Sequence, residues 1–64
     1  MKNRIRELRK ELGWRQEDLA RKAEVTRQTI NAIENDKYNP TLALAMRLAR
    51  LLKTPVEELF LLEE

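Results

Sequence analysis

Residues 25–40, VTRQTINAIENDKYNP, set a row of hydrogen-bonding heads (Arg27, Gln28, Thr29 and Asn31) beside an apolar seam of two residues, Ile30 and Ile33. Arg carries a planar fork of N–H donors, and Gln and Asn carry amides that both donate and accept. Heads of this kind match the paired donors and acceptors on base-pair edges in the DNA major groove. Catalysis fits the residues poorly. The chain has neither His nor Cys, so nothing offers a base or nucleophile near neutral pH, and its one Gly cannot build a phosphate-cradling loop. Its carboxylates fall on predicted solvent faces or at helix starts. No Asp/Asn run has calcium-loop spacing, and neither a metal, a cofactor nor a small-molecule ligand is expected.

Spacings of three and four between apolar residues run almost throughout, which predicts an all-α domain. Ile5, Leu8 and Leu12, followed by Gly13, predict a first helix over about 2–12. Trp14 is expected as a lid on the core. Gln16 to Ala23 forms a second helix with Glu17 and Asp18 in its first turn, where the helix dipole favours anions. Glu24 and Val25 connect, Thr26 caps, and a third helix runs to about Asn35. Asn35 to Asn39 reads as a loop. Thr41 caps a fourth helix with Leu42, Ala45, Leu48, Ala49 and Leu52 on one face, and Thr54-Pro55-Val56-Glu57 starts a fifth, with Thr54 as its cap and Pro55 in its first turn. Residues 60–62 are expected to pair as a short strand with Met1–Asn3.

At 64 residues the chain holds one domain, small for a single core, and without Cys or His it has no disulfide or common metal staple. A homodimer is the expected source of further burial. No apolar run approaches the ~20 residues of a membrane span, so no membrane association is expected and a soluble, cytoplasmic protein is. The net charge is only +2, but residues 1–39 hold ten Lys/Arg against seven Asp/Glu, while residues 40–64 hold three against four. The basic side is the N-terminal side, as a partner of polyanions requires.

A short helix, a tight connection and a capped second helix with a one-sided seam are the parts of a helix-turn-helix, over about residues 16–35. In that motif the first helix braces across the nucleic-acid backbone and the second offers its polar ridge to the major groove. The segment RQEDLARKAEVTRQTINAIENDKYNPTLALAMRLARLLKTPVEELF resembles the Cro/repressor-type (xenobiotic-response-element) helix-turn-helix family across about residues 4–60. Within it, TRQTINAIENDKYNP and the late Phe60 are most similar to the short stand-alone subgroup that includes the cytolysin repressor of Gram-positive bacteria.

The resemblance implies a five-helix, lambda-repressor-like fold and a homodimeric transcriptional repressor of double-stranded DNA. It implies base reading by Arg27 and Gln28, contact by Asn31 with a base or a phosphate, and contact by Thr29 with a thymine methyl or a phosphate. It assigns phosphate gripping to Gln16, which would also buttress the first side chain of the reading helix. A backbone-clamping loop follows at Asn35, Lys37, Tyr38 and Asn39, with the Tyr38 ring either clamping or closing the core. Arg9 and Glu34 match a structural ion pair between the first and third helices.

Arg15 stands where the family usually has a Thr or Ser cap, and it offers a further cation for a phosphate. Glu24 and Asp36 stand where Gly is common, so a positive φ at either implies about 1 kcal/mol of strain. Apolar surface left over, at Leu44, Leu51, Val56, Leu59, Phe60, Leu61 and Leu62, is expected to build the dimer interface, with the dimerisation segment over about 55–64. The alternative is an antitoxin or adaptor module whose main partner is a protein, a reading that would call for an additional C-terminal segment to capture a toxin.

Overall fold

In a computed structural model that describes residues 1–62, strand β1 (Lys2–Asn3) leads into helices α1 (Ile5–Glu11), α2 (Gln16–Ala23), α3 (Arg27–Glu34), α4 (Leu42–Leu51) and α5 (Val56–Leu59). Strand β2 (Phe60–Leu61) closes the chain antiparallel to β1, with Lys2 opposite Leu61 and Asn3 opposite Phe60. The terminal pairing expected from sequence is therefore present. It shortens the first helix, because residues 2 and 3 are extended and α1 starts only at Ile5.

Local signals set most boundaries. Thr26 and Thr41 accept from the backbone N–H groups of Thr29 and Leu44, capping α3 and α4. At the start of α2, Arg15 has no acceptor to offer, but the Asp18 carboxylate still accepts from the Arg15 N–H at 2.8 Å. That bond is the first reason the Asp18 carboxyl is held below the usual aspartate value. Helices α1 to α4 all end in one device: the backbone reverses through a left-handed residue, and the next N–H reaches back to a carbonyl five residues earlier. Gly13 occupies that position after α1, whereas Glu24 (φ 61), Asp36 (φ 61) and Lys53 (φ 54) occupy it after the others. The helical hydrogen bonds thus impose the left-handed turn at three side-chain-bearing residues, each costing about 1 kcal/mol relative to Gly.

The fifth helix departs from its expected start. Its cap position is Pro55, and the Thr54 hydroxyl donates to the Leu52 carbonyl at 3.0 Å instead of accepting from the helix. The chain has just left α4 through Lys53, so Thr54 faces back toward that helix end.

Ile5, Leu19, Ile30, Ile33, Leu48 and Leu59 are enclosed at the centre, one or two from each helix, and Trp14 packs half-buried over them with Lys22 Nζ 5.0 Å above its ring. Leu12, expected on the buried stripe of the first helix, is 45% exposed because the chain turns away at Gly13. Three residues expected at the dimer interface belong instead to this core: Leu44, Leu59 and Phe60 are 8%, 0% and 7% exposed. Successive strand residues point to opposite faces, so pairing with β1 turns Phe60 inward and Leu61 outward. Leu51 and Val56 are partly buried against the core, which leaves Leu61 and Leu62 as the outward members of that set. The end of the expected dimerisation segment, Glu63 and Glu64, lies outside the described residues.

Candidate nucleic-acid interface

The two apolar residues of α3, Ile30 and Ile33, are 0% and 1% exposed, so the opposite face of that helix points out. Arg27, Gln28 and Asn31 lie exposed on it. Thr29 is half-buried, and its hydroxyl lies 3.0 Å from that of Thr26 within the helix cap. The turn before α3 is held from behind by Arg47 of α4, whose guanidinium donates to the Ala23 carbonyl at 2.8 Å, at the C-terminal end of α2 where a cation is favoured.

The far end of α3 is braced by a charged cluster centred on Glu34, whose side chain is fully enclosed. Arg9 donates to it twice, through Nε at 2.8 Å and through a terminal nitrogen at 3.1 Å, and turns its remaining terminal nitrogen to the Trp14 carbonyl at 2.8 Å. Gln16 Nε2 donates to the same carboxylate at 3.2 Å, as does Arg6 Nε at 3.3 Å. Helices α1 and α2 are thereby both fastened to α3, and no buried side-chain nitrogen or oxygen among the described residues lacks a partner. Burial alone would raise the Glu34 pKa, but the hydrogen bonds from Arg9, Gln16 and Arg6 and the Arg9 charge outweigh it and hold the group below its usual value of 4.5.

This shift gives a test. Between the lowered native pKa and 4.5 the unfolded chain binds more protons than the folded one, so stability rises with pH in that window and falls as acid protonates Glu34. A Glu34→Gln variant should be less stable than the parent at neutral pH, with the gap closing as pH falls below about 4.5. Urea denaturation from pH 7 to pH 3 measures it; a gap independent of pH would contradict the ionised pair.

Gln16 makes no hydrogen bond to Arg27 or Gln28 at the start of α3. Its amide reaches Asn31 Oδ1 at 3.1 Å and Glu34, half-way along and at the end of the helix, so it buttresses Asn31 in place of the first side chain. Arg15 stands outward, its side chain 77% exposed, with Glu17 at 2.9 Å and Asp18 at 3.5 Å. Arg9, Arg15, Gln16, Glu17 and Arg27 surround a shallow depression at the start of α2.

Asn35 follows α3 with both ends of its amide engaged, donating to the Asn31 carbonyl at 2.8 Å and accepting from Arg6 at 3.0 Å. Lys37, Tyr38 and Asn39 are exposed beyond it, and the Tyr38 ring, 46% exposed, does not close the core. Two residues overlooked in the sequence shape this end. Arg6 lies one turn before Arg9 on the same side of α1, a spacing that was open to inspection. Asn3 donates to the Ile33 carbonyl at 2.8 Å and accepts from the Ile5 N–H at 3.1 Å, a role that exists only because β2 holds β1 in place.

A capped reading helix with a buried seam, packed behind a short bracing helix, is the geometry by which one family of proteins is defined, and the family described as helix-turn-helix (HTH) matches residues 5–59. This chain belongs to the helix-turn-helix family. The HTH protein is 52% identical over 65 residues to an uncharacterized HTH-type transcriptional regulator of Methanothermobacter thermautotrophicus, an alignment covering 100% of this chain and 94% of that one. It is 44% identical over 64 residues to the HTH-type transcriptional regulator YgzD of Bacillus subtilis, covering 100% and 97%. Among solved structures, the restriction-modification controller protein C.AhdI of Aeromonas hydrophila superposes with a TM-score of 0.81 at 35% identity, covering 89% of this chain and 86% of that one. The HTH protein is a DNA-binding transcriptional regulator. No helix among its described residues is long and apolar enough to cross a membrane, and no group of three or more acidic, His or Cys side chains is placed to hold a metal.

Proposed function

We propose that this regulator is a homodimeric repressor that reads a near-palindromic operator through the major groove and acts by occupying it. The observation that carries the reading is the exposure of Arg27, Gln28 and Asn31 on the face of α3 opposite its buried seam, on a helix fastened at its far end through Glu34. Arg27 donates twice to guanine O6 and N7, and Gln28 pairs with adenine N6 and N7. Thr29 contributes its methyl to the groove wall while its hydroxyl serves the cap.

Phosphates fix the register. One lies in the depression between Arg15, Gln16 and Arg27, against the free N–H groups of the first turn of α2. Others lie along Asn35, Lys37, Tyr38 and Asn39, with the Asn35 backbone N–H and amide already committed to α3 and the exposed Lys37 supplying the charge.

One reading helix covers too few base pairs for selective control, and a two-fold pair doubles the site while spacing the half-sites about 34 Å apart. The surface best suited to pairing is an open, largely apolar groove whose lining includes Met1, Pro40, Leu42, Val56, Glu57 and Leu62, with Leu42 72% and Leu62 78% exposed. None of these residues belongs to the reading ridge. A Leu62→Asp variant should sediment at half the parent mass and bind operator roughly 100-fold more weakly, because the second half-site no longer binds as a tethered partner. An undiminished mass would exclude this groove as the interface. The function itself is tested by selecting bound duplexes from random DNA. An inverted repeat with half-sites one helical turn apart is expected, and enrichment of no common sequence would overturn it.

A further inference from the structure

One side chain of the reading ridge has its amide polarity dictated by the fold. A carboxylate only accepts, so the Gln16 side-chain atom 3.2 Å from Glu34 Oε1 is its nitrogen. The second hydrogen of that nitrogen points to Asn31, 3.1 Å away, and the atom it meets must be the Asn31 oxygen. A separate chain of partners gives the same answer. The Asn31 backbone carbonyl, at 2.8 Å, and the Arg6 guanidinium, at 3.0 Å, orient the Asn35 amide, and the second N–H of Asn35 meets Asn31 Oδ1 at 3.1 Å. Two donors thus converge on one oxygen and take both its lone pairs. Among the described residues nothing partners Asn31 Nδ2, which keeps its N–H groups for the exposed ridge.

We propose that Asn31 is a specificity-determining residue that acts as an obligate donor and selects guanine at its position in each half-site. This rests on the reading of α3 as the groove-facing helix. An Asn in a DNA groove ordinarily pairs with adenine, donating to N7 and accepting from N6. Here the accepting half of that pair is already used inside the protein. Guanine presents two acceptors, N7 and O6, and takes both N–H groups; thymine O4 and adenine N7 accept only one, with the adenine amino group a donor facing a donor, and cytosine presents only a donor. Gln16 and Asn35 are positioning residues in this scheme, acting on the base only through Asn31.

The discriminating substitution is Asn31→Asp. An aspartate keeps an acceptor for Gln16 and Asn35, so the inward network survives, and it turns a second acceptor outward. Random duplexes selected by the parent should show one position per half-site restricted to guanine, about tenfold over the other bases. Selection by Asn31→Asp should move that same position to cytosine or adenine and leave the remaining positions unchanged. Overall affinity will be weaker because a negative charge has been added near phosphates, so the readout is the base identity. Asn31→Ala, which suits a helix and removes the head altogether, should make the position indifferent to all four bases and carries the test where the aspartate variant does not fold. Adenine at the altered position in the parent, or an operator that neither substitution changes, would overturn the role of Asn31 while leaving the groove-facing reading of α3 intact. Failure of the parent to select any sequence would remove both.

Discussion

Replacing Arg9 by alanine should leave most of the protein unfolded near physiological temperature. The Arg9 side chain is 8% exposed and supplies two of the donors to Glu34 and the one donor to the Trp14 carbonyl. Alanine removes that charge from around a carboxylate that water cannot reach, and breaking one side of a buried pair costs about 3–5 kcal/mol. A single core in a chain this small supplies roughly 3–5 kcal/mol in total, so the loss is of the same size as the stability itself. Glu34 is not left wholly alone, since Gln16 and Arg6 still donate to it; but Arg6 is half exposed and its pairing is correspondingly screened. Replacing both members, Arg9→Met with Glu34→Leu, should recover much of the loss, because no charge is then stranded. Thermal and urea denaturation of the three variants measures this. An Arg9→Ala variant within about 1 kcal/mol of the parent would show that the pair holds nothing in place.

The second large effect is on binding. Arg27→Ala should weaken operator binding by about 1–3 kcal/mol and relax discrimination at one base pair in each half-site, with no loss of stability because the side chain is exposed. Lys37→Ala makes the contrast. It lies in the loop after α3, so its removal should weaken binding to all duplexes alike and lower the dependence of log affinity on log salt by about 1. Titrations on cognate and scrambled duplexes at several salt concentrations separate the two, and equal losses from both variants on every duplex would count against base reading by Arg27.

Much of this was legible in the residue order. Thr26 and Thr41 cap because a hydroxyl before an apolar period has orphan N–H groups within reach, and Ile30 and Ile33 face inward because they are the two large apolar residues on α3. Outward projection of Arg27 and Gln28 follows from the same period. Contacts that depend on where distant segments meet were not legible. Gln16 lies 15 residues before Asn31, and no local rule distinguishes that partner from Arg27. Asn3, 30 residues before Ile33, reaches that carbonyl only because β2 fixes β1 beside it.

The apolar residues near the C-terminus divide on the same line. Their number announced more hydrophobic surface than one small helix hides, but Leu44, Leu59 and Phe60 turned out to serve the protomer's own core, while Leu42 and Leu62 were left outside. Sequence by itself determined the order of the helices, the Thr26 and Thr41 caps and the polar ridge, since those depend on hydrogen bonds and periodicities within a few residues. Tertiary structure alone decided which apolar side chains remain exposed and which way the Asn31 amide points. Both depend on partners brought together from separate helices, and a linear pattern does not specify their distances.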